Sequence, residues 1–289
     1  MNAPLILDLD GSVRDIGAAE RLPLQDWQER LRFSCSRRDL RRFGDAIAPA
    51  LSAPHGTVLL GSGDFHHLSL PLVEREAGRR RLRGHSLRVV VLDNHPDNMR
   101  FPFGVHCGSW VGRAAILPGV VDVHVLGISS PDAGRSHAWE NQLGVLRNRR
   151  VHYWCVGIDT SWTAQRGITT LSSFDSPQEL VAEFVAAMAN DPVPVYFSID
   201  KDVFAPEVVR TNWDQGRFLL DDALAIISAL KPHIVASDIT GEVSIHHYRS
   251  LFKRLLSRLD QQSDPSPAEI DAWQLEQAAV NRALIPALG

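Results

Sequence analysis

Lysine is scarce in this 289-residue chain, occurring only at positions 201, 231 and 253, so arginine supplies nearly all of the 30 basic side chains. With a net charge of −4, there is no cationic excess to neutralise phosphates, which excludes a dominant nucleic-acid role. Cysteine is equally sparse. Cys35, Cys107 and Cys155 are odd in number, widely spaced and without a CxxC pair; they exclude a disulfide framework and read as reduced thiols of a cytoplasmic protein. No apolar run approaches the roughly 20 residues that span a bilayer. Asp8 interrupts MNAPLILDLDG before it supplies the apolar stretch of a signal peptide. The expected setting is soluble and cytoplasmic, without nucleic-acid or membrane partners.

What is present is ordinary globular chemistry, 44% hydrophobic and 22% charged. Short runs rich in Val, Ile and Leu recur at 5–9, 57–60, 87–93, 121–128, 152–158, 193–200 and 233–238. Several are apolar at nearly every position, as in LRVVVLD, which suits strands covered on both faces. Helical stretches lie between most of them. Ser176-Pro177-Gln178-Glu179 is a capping box with Pro at the first helical position. Asp221-Asp222 opens the next helix with the acids its N-terminus favours. Alternating strands and helices imply an α/β fold with parallel, right-handed crossovers. No Gly/Ser/Pro-rich linker divides the middle of the chain. We therefore expect one α/β domain over residues 1–259, then a polar tether (DQQSDPSP) and a C-terminal helix packed on it over 260–289.

In an open parallel sheet, ligands bind beyond the carboxyl ends of the strands. Three such ends carry unusual chemistry: Asp93-Asn94-His95-Pro96-Asp97, Ser198-Ile199-Asp200-Lys201-Asp202, and Gly61-Ser62-Gly63-Asp64-Phe65-His66-His67. In extended chain, residues two apart share a face. That rule puts Asp93, His95 and Asp97 together, and Asp200 with Asp202. Four converging carboxylates repel one another and raise each other's pKa unless cations intervene. Carboxylate and imidazole ligands without thiolate suit Mn²⁺, and less well Zn²⁺ or Ni²⁺. Two such ions sharing a water lower its pKa toward neutrality, the setting of a hydrolase.

These residues carry a resemblance. DNHPD resembles the Asp-x-His-x-Asp motif of the ureohydrolase (arginase/agmatinase) family. SIDKDVFAP is similar to its Ser-x-Asp-x-Asp-x-x-Asp-Pro segment, and LGSGDFHHL to its Gly-Gly-Asp-His-Ser-Leu turn. The three occur in family order, so the resemblance covers about residues 55–250. It implies a three-layer αβα fold with a mostly parallel, roughly eight-stranded sheet and two Mn²⁺ ions. It also implies hydrolysis of a guanidino or related amidine-type C–N bond, releasing urea or an amide plus an amine, and a homo-oligomer. By the same resemblance, His66, Asp93, Asp97 and Asp200 hold one ion, and Asp93, His95, Asp200 and Asp202 the other. His66 rather than His67 aligns with the family histidine if Phe65 is a one-residue insertion. His106 resembles the histidine that relays protons near the leaving group, and Glu242 the acid that pairs with a guanidinium.

The chain departs from the family pattern at the substrate side. Ala205 stands where the family has Asp, Glu242 comes one residue late, and the loop Thr211–Gly216 is unusual. In that loop Trp213 is expected to wall a small cationic substrate by cation–π contact, with Asp214 neutralising its charge. Lys201 alternates away from its two aspartates and suits a structural ion pair. Two rival readings stand beside the hydrolase. One is a non-catalytic, metal-binding relative. The other is an Asp-nucleophile phosphatase using Asp8 and Asp10 in LILDLDGS, which lacks that chemistry's further motifs.

Overall fold

A computed structural model describes residues 2–250, 253–254 and 265–289. Its strands are β1 (Leu5–Asp8), β2 (Glu20–Pro23), β3 (Ser34–Cys35), β4 (Val58–Leu59), β5 (Leu87–Leu92), β6 (Val105–His106), β7 (Val120–Ile128), β8 (Val151–Val156), β9 (Leu171–Phe174), β10 (Val195–Asp200) and β11 (Ile234–Thr240). Nine of them form one sheet in the order β2-β1-β4-β11-β10-β5-β7-β8-β9. Every neighbouring pair in it is parallel. The short β3 and β6 pair with each other, antiparallel.

Strand alternation builds the layers. All six residues of β5 are buried. Val89 and Val91 point into one apolar cluster, with Leu40 and Phe43 of the helix Arg37–Ile47 and Val73 of the helix Ser69–Arg81. Val90 and Leu92 point into the other, with Phe184 of Pro177–Met188, Ile226 of Leu220–Leu230 and Leu284 of Pro267–Leu288. The fold is therefore a three-layer αβα sandwich. Each of these central side chains contributes about 1.5–3 kcal/mol by leaving water.

The sheet has nine strands, against the seven apolar runs of the sequence and the roughly eight strands that the family resemblance implies. The additions, β2 and β9, are the two edges. Their sequences, ERLP and LSSF, are largely solvent-facing, so they lack the apolar run that marks a doubly covered strand. The C-terminal helix runs over Pro267–Leu288 and is capped by Ser266, whose side chain accepts from the Glu269 amide. Most of the expected tether, residues 260–264, lies outside the described residues. No described helix is long and apolar enough to cross a membrane.

The order of connections makes the site. After β4 the chain crosses to β5, leaving a gap that β10 and β11 later fill. The carboxyl ends of β4, β11, β10 and β5 thus meet where the winding direction reverses, the position at which open α/β sheets bind ligands.

Candidate metal centre

The loop after β4 turns through a 3₁₀ helix, Gly63–Leu68, which buries both histidines. They face differently. His66 Nδ1 lies 3.1 Å from Asp93 Oδ2, 2.9 Å from Asp97 Oδ2 and 3.4 Å from Asp200 Oδ2. His67 is not among the carboxylates, and burial drives its pKa well below the usual histidine range.

The segment after β5 is not extended, so strand alternation is not what gathers its ligands. Asp93 Oδ1 accepts the His95 backbone N–H at 2.6 Å, closing a tight turn. Asp97 takes a left-handed φ of 46°, costly for a side chain with a Cβ. It is held there from both sides: Trp110 Nε1 donates to its carboxylate at 2.8 Å, and its carbonyl accepts from the Val111 amide at 3.0 Å. Alternation fails at Asp202 as well. β10 ends at Asp200, and Asp202 rides on a 3₁₀ turn, Lys201–Val203. Its Oδ1 accepts from the Asn94 amide at 3.0 Å, and its Oδ2 lies 3.0 Å from His95 Nδ1.

Two groups of potential ligand atoms result, His66/Asp93/Asp200 and Asp93/His95/Asp202, sharing Asp93. Their electrostatics are those of a site built around positive charge. Burial and the Asp93 charge push Asp97 and Asp202 each up to about 7. Burial and Asp202 push Asp200 well above the carboxylate range. For Asp93 burial acts upward, but the neighbouring His66 and His95 rings hold it below its usual value.

The hydrogen-bond directions at His66 test the fit to a metal. Ser198 Oγ donates to Asp238 Oδ1 at 2.7 Å, so at 3.1 Å it accepts from His66 Nε2–H. In its neutral form the ring would present a bare Nδ1 lone pair to three carboxylates; although burial acts downward, Asp93, Asp97 and Asp200 instead hold its pKa well above the usual histidine range. His66 Nδ1 and Asp93 Oδ2 are both buried without a hydrogen-bond partner. Only a cation or a second proton resolves that arrangement, and nitrogen and oxygen donors of this kind fit a divalent metal. Ser198 heads the SIDKD segment, but Asp238 and Tyr196, whose OH donates to Asp238 Oδ2 at 2.5 Å, carry no such mark in the sequence. The Ser two residues before Asp200 was the available signal.

A cavity of about 530 Å³ opens over these groups, with His106 and Trp213 in its walls. His106 Nδ1 accepts from the Gly108 amide at 2.9 Å, leaving its proton on Nε2, and burial lowers its pKa to about 4. Trp213 stacks on Phe33 at 6.3 Å and meets the His95 ring edge-on at 6.0 Å. Gly63 leaves room for this approach: a Cβ there would lie 3.1 Å from Trp213 Cδ1 and 3.3 Å from Asp200 Oδ2, tight enough to press on both. Asp132, His137 and Glu140 also line the cavity. They come from a loop without motif-like spacing, which leaves them unmarked in the sequence.

Two expectations need correction. Glu242 does not face the cavity. It is buried behind β11, where Oε1 accepts from Lys201 Nζ at 2.5 Å and from Asn281 Nδ2 at 2.7 Å. The lysine that alternates away from the aspartates has captured the acid assigned to substrate. Asp214 lines the cavity, but its carboxylate is already committed, to His95 Nε2 at 2.8 Å and Asn94 Nδ2 at 3.1 Å. It steadies His95 rather than standing free for a cation. The phosphatase alternative fares no better. Asp8 accepts from the Gly11 amide and Gln25 Nε2. Asp10 is tied to Ser12, Ser244 and the buried Arg32. Both carboxylates fasten loops.

Comparison with known proteins agrees with this geometry. Over 188 residues the chain is 27% identical to an uncharacterized protein of Thermotoga maritima, covering 65% of this chain and 58% of that protein. It thus spans less than two thirds of that relative's length. Three solved structures show the same fold. The agmatine ureohydrolase of Thermoplasma volcanium superposes with a TM-score of 0.55 at 14% identity, over 93% of this chain and 73% of the other. A hypothetical agmatinase from Burkholderia thailandensis gives 0.57 at 15%, over 99% and 85%. The formimidoylglutamase of Bacillus subtilis gives 0.53 at 12%, over 99% and 85%. A sequence model of the arginase family matches residues 11–244, and the chain belongs to that family.

Proposed function

We propose that the protein is a binuclear metal hydrolase that cleaves a C–N bond of a small guanidino or amidine-type cation, releasing urea or an amide plus an amine. The observation that carries this reading is the pair of ligand groups sharing Asp93 at the floor of one cavity. His66, Asp93, Asp97 and Asp200 would hold one ion, and Asp93, His95, Asp200 and Asp202 the other. The donor set favours Mn²⁺, with Ni²⁺ or Zn²⁺ as alternatives. Two ions so held would supply Lewis acidity and would lower the pKa of a water toward neutrality.

The side chains do the remaining work. Asp214 and Asn94 fix the orientation of His95 and Asp202. Trp213 closes one wall, excluding water and offering an aromatic face to a cation. His106, neutral near pH 7, offers its Nε2–H as a hydrogen-bond donor toward the departing nitrogen rather than holding a stored imidazolium. Glu242 takes no part. With Ala205, its loss from the cavity favours one second reading, a metal-binding relative that has given up catalysis. The proposal includes a homo-oligomer, a state common in the family.

Elemental analysis after expression with manganese and gel filtration tests the metal site. About two ions per chain are expected, with large losses in Asp93→Asn and Asp200→Asn. Guanidino compounds are then assayed for urea and amine. Full activity in a metal-depleted Asp200→Asn protein sinks the mechanism. Two ions without turnover on any guanidino or amidine compound select the non-catalytic relative.

A further inference from the structure

We propose that a second cavity, at the amino ends of β4, β10 and β11, binds a small organic anion with an apolar body, such as an aliphatic carboxylate. This cavity has a volume of about 580 Å³, within the usual range for small-molecule sites. It lies at the opposite ends of the strands from the candidate metal centre, and the inference is independent of the hydrolase reading.

The charge balance of its lining sets the sign of the ligand. Arg75 and Arg79 of the helix Ser69–Arg81 face it, against a single acid among the described lining residues, Glu76. Glu76 is already matched. Its Oε1 accepts from Arg80 Nε at 2.7 Å and its Oε2 lies 3.5 Å from Arg79 Nη1. Arg75 is different. Its Nη2 donates to the Ser52 hydroxyl at 2.9 Å, but its Nε is buried without a hydrogen-bond partner. No carboxylate among the described residues forms an ion pair with it. A guanidinium whose Nε is dry and unpaired is an unmet demand for an acceptor, and a planar carboxylate satisfies Nε and a terminal nitrogen together.

The rest of the wall sets the body of the ligand. Leu51, Leu72, Ile234 and Leu288 line the cavity beside the small polar residues Ser52, Thr57 and Ser237, so part of the wall rewards a hydrocarbon chain. The buried Tyr196 also lines it, but its hydroxyl is spent on Asp238. An apolar chain ending in an anionic group fits this pattern.

The test uses the full chain with its metals, titrated by calorimetry with sodium hexanoate, 1-hexanol and hexylamine, with thermal unfolding in parallel. Hexanoate is expected to bind saturably at one site per chain and to raise the melting temperature by mass action. The alcohol and the amine should bind at least about tenfold more weakly, the scale of one charge-assisted hydrogen bond. Arg75→Gln should bring hexanoate down to the level of hexanol while leaving metal content unchanged. Ala236→Leu, filling the cavity from the residue paired with Tyr196, should weaken all three and guards against misfolding of the arginine variant. Equal binding of hexanoate and hexanol overturns the proposal. So does absence of saturable hexanoate binding, or binding that persists in Arg75→Gln, which would place the carboxylate on the metals instead.

Discussion

His66 Nε2 lies 3.1 Å from the hydroxyl of Ser198, which in turn donates to Asp238. This chain decides which ring nitrogen of His66 is free, and Tyr196 anchors its far end. Groups behind a metal-ligating histidine typically contribute about 10–100-fold in metal affinity. Ser198→Ala and Asp238→Asn are therefore each expected to weaken metal binding on that scale, read by competition with a chelator. Unchanged affinity in both variants would show that His66 is oriented without them.

Lys201 and Glu242 form a fully buried ion pair, 0% and 2% exposed. Removing one partner strands a buried charge at about 3–5 kcal/mol, whereas replacing both with neutral groups of similar size costs far less. Lys201→Met should therefore lower stability strongly in denaturant titrations, and Lys201→Met/Glu242→Gln should recover most of the loss. If Glu242 contacted substrate, Glu242→Gln would instead raise KM at little cost in stability.

How these two residues read from the sequence shows what a pattern carries. Lys201 does turn away from Asp200, the direction that alternation suggests, although it opens the 3₁₀ turn rather than continuing the strand. Its partner is 41 residues away in sequence, and nothing local says that β11 will lie beside β10. The same limit applies to the sheet. β5 and β10 are legible because both faces are covered and every position is apolar. The edge strands β2 and β9 are half wet and read as loops. The motif residues around Asp93 and Asp200 are brought together, but not by the extended geometry that suggests it. Tight turns at His95 and Asp202 do that work, and turns of this kind have no apolar period to reveal them.

His152 stacks on His124 of the neighbouring strand at 4.6 Å. Burial first, and then the His124 charge, lower its pKa to about 4 from 6.5. Between those values the unfolded chain binds the proton more readily than the folded one, so His152 favours folding above about pH 6.5 and that contribution is lost as pH falls toward 4. His152→Asn should therefore flatten the stability profile in that window relative to the parent protein, in chemical denaturation at half-unit pH steps. Parallel profiles would show that His152 titrates normally.

Gly127 interrupts β7 at a register shift and adopts a φ of +94°. A Cβ there would lie 2.5 Å from Val203 Cγ2, on the 3₁₀ turn that carries Asp202. Gly127→Ala thus combines backbone strain with overpacking, each of order 1–3 kcal/mol. Its effect should also be asymmetric. Asp202 belongs only to the ligand group with His95, so displacing its turn should lower metal content from two ions toward one before the other site suffers. Gly144→Ala, in the helix Leu143–Arg147 with nothing within 4 Å of the added methyl, is the matched control. It should be neutral or stabilising by about 0.4–1 kcal/mol. Loss of both ions together in Gly127→Ala, at unchanged global stability, would mean that the two sites do not divide as the geometry has them.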